Sequence, residues 1–323
     1  MKTDTILVLA DPHEPTLALL DKLRNDADIV IGNIPESFST AAPAATIMFN
    51  WSGSLSLFRT VFLMCPNLRW VHSRSVGLER SLFPELINSP VTLTNGIGVF
   101  SGSLGEFAVA AILYFAKDFR RMVRNQIAGV WEQFDVIPVA GQTVGIVGYG
   151  DIGRAVATRV RPLGMQVLAL KRHALSPDQP DNMVAEYFTP DRRLEMLPRC
   201  DYIVVATPLT AETRGMIAEP EFTAMKNSAV VINVGRGPII NEDALIHALS
   251  TNRIKGAALD VFDHEPLAAG HPFYKLENVL LSPHCADHTP DWLDNAMHLF
   301  LDQFARYRAG QPLRNIVKKH LGY

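Results

Sequence analysis

The chain has 323 residues, 48% hydrophobic and 20% charged, an ordinary globular balance at a length that implies two domains with separate cores. Its 30 Lys and Arg against 33 Asp and Glu leave a formal net charge of −3, and no five like charges run together, so neither nucleic acid nor a membrane surface is an expected partner. Cys65, Cys200 and Cys285 form no CxxC pair, which excludes a disulfide framework and a zinc knuckle and suits a reducing cytoplasm.

The first apolar run, Ile6 to Leu9, is too short for a signal-peptide core or a membrane span. It belongs to a series of β-branched segments at 5–9, 29–31, 47–49, 70–72 and 91–94, separated by helical stretches, which predicts an α/β fold. Residues 104–116 read as a buried helix, with Ser103 three positions before Glu106 in a capping-box spacing. Six further segments at 143–147, 166–170, 202–206, 230–233, 256–260 and 279–281 are nearly all apolar, as strands covered on both faces must be. Six such strands predict a doubly wound parallel sheet. The Pro- and Asp-rich piece 176–181 reads as a surface loop. Leu293, Ala296, Met297, Phe300, Leu301 and Phe304 then mark one face of a last helix, able to pack on either domain. There is no short-period repeat, and the domain boundary falls near residue 100.

Gly148-Tyr149-Gly150-Asp151-Ile152-Gly153 follows the strand ending at Val147 and precedes a helical stretch, so GxGxxG sits where a dinucleotide site needs it. Gly148 permits the tight turn, Gly150 lets a pyrophosphate approach the backbone, and Gly153 lets helix and strand pack closely. The helix N-terminus adds N–H groups and positive dipole.

Three more segments fall at or just after predicted strand ends, where open α/β sheets place ligands. Asn233-Val234-Gly235-Arg236-Gly237 offers a guanidinium, Asp260 to Pro266 a carboxylate at Glu265, and Ser282-Pro283-His284 an imidazole. Hydride transfer to a keto acid needs those three: a cation to clamp the carboxylate, a proton donor for the developing alkoxide, and an anion to keep that donor protonated. Taken singly, Arg236 reads equally as a surface arginine in a turn, and His284 as a structural or solvated histidine. His264, His271 and His288 raise the question of a metal, yet no HExxH spacing exists and Pro266 follows Glu265, so none is expected. A serine-hydrolase elbow is lacking as well, since Ser101-Gly102-Ser103-Leu104-Gly105 misses the first glycine of GxSxG.

The succession GYGDIG, ATPLTAETRGMI, INVGRGPIINEDAL, LDVFDHEPL and SPHCADHT resembles the D-isomer-specific 2-hydroxyacid dehydrogenases in content, order and spacing, through nearly the whole chain. Upstream, Ser75-Val76-Gly77-Leu78-Glu79 looks like that family's substrate loop, and Asn95-Gly96 with the helix after it like its crossover. The resemblance implies a flavodoxin-like substrate lobe of residues 1–101 completed by 288–323, a Rossmann-like dinucleotide lobe of 102–287, a cleft between them, and a homodimer joined through the cofactor domains. It also implies roles by position. Arg236 would bind the substrate carboxylate and carbonyl, His284 would be the acid/base, and Glu265 would hold and charge it. The N–H groups of Val76 and Gly77 would receive the carboxylate. Asp151 and Ile152 would line the pyrophosphate, Pro208 and Thr213 the adenosine side, and Val234, Gly235 and Asp260 the nicotinamide end.

Two positions depart from the family's pattern. After His284, Cys285-Ala286-Asp287-His288-Thr289 brings charge and bulk where small residues are usual, which bears on substrate choice. At the end of the second Rossmann strand, ~20 residues beyond the glycine turn, NAD-preferring proteins place an acid. Here Lys171-Arg172-His173 follows Leu170, so NADP(H) is expected in preference to NAD(H), the cations meeting its 2′-phosphate. Within the family, Glu265 rather than glutamine argues against formate dehydrogenases, and the length leaves no room for the regulatory domains of many phosphoglycerate dehydrogenases. Glyoxylate, hydroxypyruvate or another short 2-keto acid is the expected substrate. The rival readings are a nucleotide-sensing corepressor of the same fold and an oxidoreductase acting on another small anion such as phosphite.

Overall fold

The computed structural model describes residues 4–79, 81–172 and 181–323, which build two parallel sheets of five and seven strands. The chain divides into two compact units, Met1–Phe100 with Thr289–Tyr323, and Ser101–His288. In the first, β1 (Asp4–Leu9), β2 (Ala27–Gly32), β3 (Ile47–Asn50), β4 (Trp70–Ser73) and β5 (Thr92–Thr94) lie in the order β2-β1-β3-β4-β5, the flavodoxin-like winding. Side chains alternate across this sheet with the period of 2 that strands impose. Leu7, Leu9, Met48, Val71 and Leu93 pack on one face with Phe38, Phe58 and Phe83. Ile6, Val8, Ile47, Phe49 and Trp70 pack on the other with Ala296, Met297, Phe300 and Phe304 of the helix Trp292–Arg308. The periodicity of that helix left its partner open. The structure seats it here, with Phe300 stacked on Phe49 at 4.1 Å between centroids.

The second unit holds β6 (Thr143–Val147), β7 (Gln166–Leu170), β8 (Glu186–Phe188), β9 (Tyr202–Val205), β10 (Val230–Asn233), β11 (Gly256–Leu259) and β12 (Val279–Leu281), in the order β12-β11-β10-β9-β6-β7-β8. The sheet reverses direction of winding between β6 and β9, the switch point at which doubly wound sheets bind ligands. The expected six strands become seven. The addition, β8, lies at the sheet edge beside β7 and is only partly covered at Glu186 and Tyr187, so it carries no apolar run to read.

The helices Ser101–Ala116 and Asp151–Val160 cover one face of this sheet, and Gly105 lets them approach: a Cβ there would lie 3.0 Å from the Ala155 carbonyl oxygen. The capping box expected at Ser103 is not formed. The helix already begins at Ser101, and the Ser103 hydroxyl donates instead to the Ala286 carbonyl at 2.6 Å. Glu106 is exposed and faces Arg159 at 3.3 Å. Of the expected loop at 176–181 and of the Lys-Arg-His run, residues 176–180 and His173 lie outside the described residues. Among the described residues no helix is long and apolar enough to cross a membrane.

Candidate active site

The three glycines of the turn have different surroundings. Gly148 has φ +100°, and a Cβ on it would meet the backbone N and Cα of Thr207 at 2.6 Å, so the loops after β6 and β9 touch at the switch point. A Cβ on Gly153 would lie 2.5 Å from the Gly148 carbonyl oxygen, which closes the first helical turn onto the strand end. Gly150, just before the helix Asp151–Val160, is different: nothing stands within 4 Å of its Cβ position. An open approach to backbone at a helix N-terminus is what a pyrophosphate requires, and this cradle fits one. Asp151 is exposed and Ile152 half-buried on that first turn.

The neighbouring loops are closed on themselves. Thr213 is buried, its Oγ1 donating to the Pro208 carbonyl at 2.6 Å and accepting from Thr210 N at 2.8 Å. Val234 N donates to the Val205 carbonyl at 3.0 Å, and a Cβ on Gly235 would sit 3.0 Å from the Thr207 carbonyl oxygen. At the end of β7, Lys171 N donates to the Phe188 carbonyl at 2.9 Å, while the Arg172 guanidinium forms an ion pair with Glu212. Sequence reasoning gave Glu212 no part. It also passed over Asp181, whose carboxylate accepts from the Tyr149 hydroxyl at 2.8 Å and from Arg154 at 2.9 Å. Burial, with Asp181 beside it, pushes the Tyr149 hydroxyl above its ordinary range. Tyr149 lies between the first two glycines and Arg154 follows the third, but Asp181 is 32 residues from Tyr149 and no local spacing announces it.

Three adjacent parallel strands, β10, β11 and β12, deliver the candidate chemical groups. Arg236 stands in a turn clipped by Asn233, whose amide donates to the Arg236 carbonyl at 3.1 Å and accepts from Gly235 N at 3.1 Å. Arg236 Nη1 donates to the Gly235 carbonyl at 2.7 Å. The next residue, Gly237, presses on the β11 loop so closely that a Cβ would fall 1.9 Å from the carbonyl carbon of Phe262. Phe262 N in turn donates to Glu265 Oε1 at 3.0 Å, and Glu265 Oε2 meets His284 Nδ1 at 2.6 Å. A carboxylate can only accept, so it assigns the proton to Nδ1 and leaves Nε2 for another partner. Thus Glu265 and His284 are in direct contact, and Arg236 joins them through the backbone contact of Gly237.

His284 has φ +52°, a left-handed conformation uncommon for a residue with a side chain. Asp260 stabilises it. Only 1% exposed, Asp260 uses Oδ1 to accept from Ser282 Oγ at 2.5 Å, Cys285 N at 3.0 Å and Ala286 N at 3.1 Å. The sequence placed Asp260 at the nicotinamide end, but gave no sign that it also fastens the histidine loop. The Ser103 hydroxyl holds the same loop at Ala286. At the next residue, Asp287 Oδ1 is buried without a hydrogen-bond partner among the described residues, 3.7 Å from His288 Nε2, and burial pushes this carboxyl above its ordinary range.

Val76 and Gly77 belong to the other unit, where Asn95 Nδ2 donates to the Val76 carbonyl at 3.1 Å and Gly96 N to the Ser75 carbonyl at 3.2 Å. Among the described residues no cluster of three or more His, Cys, Asp or Glu could hold a metal ion. His271 is engaged by Glu242 at 3.1 Å, and His264 faces Asp263 at 3.8 Å.

The chain is similar to known proteins. Residues 109–286 match the family described as D-isomer specific 2-hydroxyacid dehydrogenase, NAD binding domain. A glyoxylate reductase of Korarchaeum cryptofilum is 31% identical over 273 residues, covering 81% of this chain and 79% of that protein. A mouse glyoxylate reductase/hydroxypyruvate reductase is 32% identical over 228 residues, 69% of each chain. Among solved structures, a D-isomer specific 2-hydroxyacid dehydrogenase from Xanthobacter autotrophicus Py2, in complex with NADPH and MES, superposes with a TM-score of 0.84 at 26% identity, covering 100% of both chains.

Proposed function

From the premise that the chain belongs to the D-isomer specific 2-hydroxyacid dehydrogenase family, and so is an NAD(P)-dependent 2-hydroxyacid dehydrogenase, we propose that it reduces a short 2-keto acid of the glyoxylate and hydroxypyruvate kind to the D-2-hydroxy acid, with NADPH preferred over NADH. The observation that carries the reading is the 2.6 Å contact of Glu265 with His284 beside the turn that presents Arg236. Bound nicotinamide supplies the hydride. Arg236 clamps the substrate carboxylate and orients the carbonyl, a task suited to a forked guanidinium. His284 donates from Nε2 to the carbonyl oxygen as negative charge develops, and Glu265 holds the ring and offsets the imidazolium charge. In the reverse direction His284 takes the hydroxyl proton.

For the dinucleotide, the backbone at Gly150, Asp151 and Ile152 would receive the pyrophosphate, Pro208 and Thr213 the adenosine side, and Val234, Gly235 and Asp260 the nicotinamide end. Lys171 and Arg172 favour the 2′-phosphate, with Glu212 competing for Arg172. The relatives named above support the substrate class, and the NADPH-bound Xanthobacter structure supports the cofactor.

Two further readings go with this one. The helix Phe119–Ala128 buries none of its residues, although Val123 is 54% and Ile127 83% exposed, and Trp131 just after it is 95% exposed. An apolar face of that size suits a second copy, and the proposed assembly is a homodimer. Three free cysteines suit the cytoplasm.

Initial rates of NADPH and NADH oxidation with glyoxylate, hydroxypyruvate and longer 2-keto acids test the proposal. A higher kcat/KM with NADPH and turnover of short keto acids are expected. Equal efficiency with both dinucleotides removes the cofactor preference, and nucleotide binding without any keto-acid turnover moves the assignment to another small anion such as phosphite.

A further inference from the structure

Arg74 is a cation for which the proposed reaction has no use. Its guanidinium carbon lies 4.7 Å from the ring centroid of Trp51 and 5.1 Å from that of Trp292, so two indoles hold it in place. Cation–π contacts leave the N–H groups of a guanidinium unspent. Among the described residues, Arg74 makes no ion pair and its side chain no hydrogen bond. Burial works against its charge, and Glu14 offsets part of that cost through space.

The surroundings of Arg74 hold further polar atoms without partners among the described residues. The Arg74 amide donates to the carbonyl of Asn50, the last residue of β3. Asn50 is 1% exposed, and its side-chain nitrogen and oxygen are both buried without a hydrogen-bond partner among the described residues, as is Trp51 Nε1. Buried polar atoms in native proteins are nearly always satisfied, and those that are not call for an explanation. Asn50, Trp51 and Arg74 lie at the C-terminal ends of β3 and β4, the edge where open parallel sheets bind ligands. The guanidinium, the Asn50 amide N–H2 and the Trp51 indole N–H outnumber the one unpartnered acceptor, Asn50 Oδ1, and with the charge of Arg74 only partly offset by Glu14 they favour an oxyanion.

We infer that Arg74, held by Trp51 and Trp292 beside Asn50, is an oxyanion-binding site of the first unit that takes a carboxylate or phosphate group. A free anion, a small carboxylate or inorganic phosphate, supplies that chemistry, so the site does not rest on the proposed activity.

The test uses the whole chain. Because two indoles flank the guanidinium, tryptophan fluorescence reports on occupancy, and titrations with succinate and with inorganic phosphate at ionic strength fixed by sodium chloride should saturate. R74M, which keeps length and apolar contact, should weaken binding at least about tenfold, the worth of one charge-assisted hydrogen bond. R74K, which keeps the charge but loses the fork, should weaken it less. Should R74M fail to fold by circular dichroism, R74K carries the comparison. Absence of saturable binding of either anion to the unaltered chain, or equal binding to the Arg74 variant, overturns the site. Loss of anion binding in R74M with the rate of glyoxylate reduction unchanged is the result expected of this site. A protein that reduces no keto acid at all fails the proposed function, and the fluorescence titration still decides the site.

Discussion

Replacing Glu265 by glutamine keeps the volume of the side chain and removes one charge and one acceptor. In the native arrangement Oε1 accepts from Phe262 N at 3.0 Å and Oε2 meets His284 Nδ1 at 2.6 Å. Glutamine has a single carbonyl oxygen and cannot serve both. If that oxygen stays on His284, the NH2 group faces the Phe262 N–H, donor against donor. If it turns to Phe262, the NH2 group meets Nδ1, and the imidazole must give up the proton there. Loss of charge assistance and of one buried acceptor together cost roughly 2–3 kcal/mol in a dry site. Glu265 and His284 keep 34% and 40% of their side-chain surface exposed, so solvent screening reduces this to about 1.5–2 kcal/mol. That corresponds to a fall in kcat of roughly 10- to 30-fold. The assay is the initial rate of reduced-nicotinamide oxidation at saturating keto acid, with nucleotide affinity measured alongside and expected to stay level. A kcat within twofold of the unaltered enzyme would refute the coupling of these two side chains.

His284→Ala should lower kcat by roughly 10²–10⁴-fold with nucleotide affinity little changed, and near-normal turnover removes the imidazole from the mechanism. Arg236→Ala should raise KM chiefly, with some loss of kcat because the clamp also orients the carbonyl; an unchanged KM places the carboxylate elsewhere. Lys171→Asp combined with Arg172→Ala should raise the KM for NADPH far more than that for NADH, since two favourable charges go and a repulsive one arrives; parallel changes for the two nucleotides would show that the 2′-phosphate is not read there. Asp287 titrates above its ordinary range through burial, so the folded chain holds a proton that the unfolded chain has released, and stability is lost as pH rises between the unfolded value, about 3.9, and the raised one. Asp287→Asn should therefore raise Tm at neutral pH and give no gain below that window, whereas an equal gain at both ends would point to packing rather than charge.

The parts of this protein legible in its sequence are those in which one segment carries its own reason. Val144 to Val147 and Tyr202 to Val205 are apolar throughout because both faces of the second sheet are covered, and so they read as strands without knowledge of their neighbours. The three glycines of the turn were legible because the motif fills six residues, although the close neighbour of Gly148, Thr207, lies in the loop after β9. Arg236, Glu265 and His284 were legible as a set because parallel strands bring their C-terminal ends to one edge, so residues just past three strand ends must be neighbours. The strand Glu186–Phe188 was not, since an edge strand of three residues with a glutamate has no periodicity to detect.

What only the tertiary structure decided is the choice of partner. Ser103 stands at the right spacing for a capping box, yet its hydroxyl serves a carbonyl 183 residues away, at the loop that carries His284. The resemblance gave Asp260 a place at the nicotinamide end, but its work as acceptor for Ser282, Cys285 and Ala286 emerged only when β11 lay beside β12. The helix Trp292–Arg308 showed which of its faces is apolar but not which sheet would cover it, because Phe49 and Trp70 are more than 200 positions upstream. Arg74 was one cation among 30 until Trp51 and Trp292 were found around it. Dihedral preference and hydrophobic period are local properties and are written in consecutive residues. A hydrogen bond, an ion pair or a stacked ring depends on distance, and distance between remote residues exists only once the chain has folded.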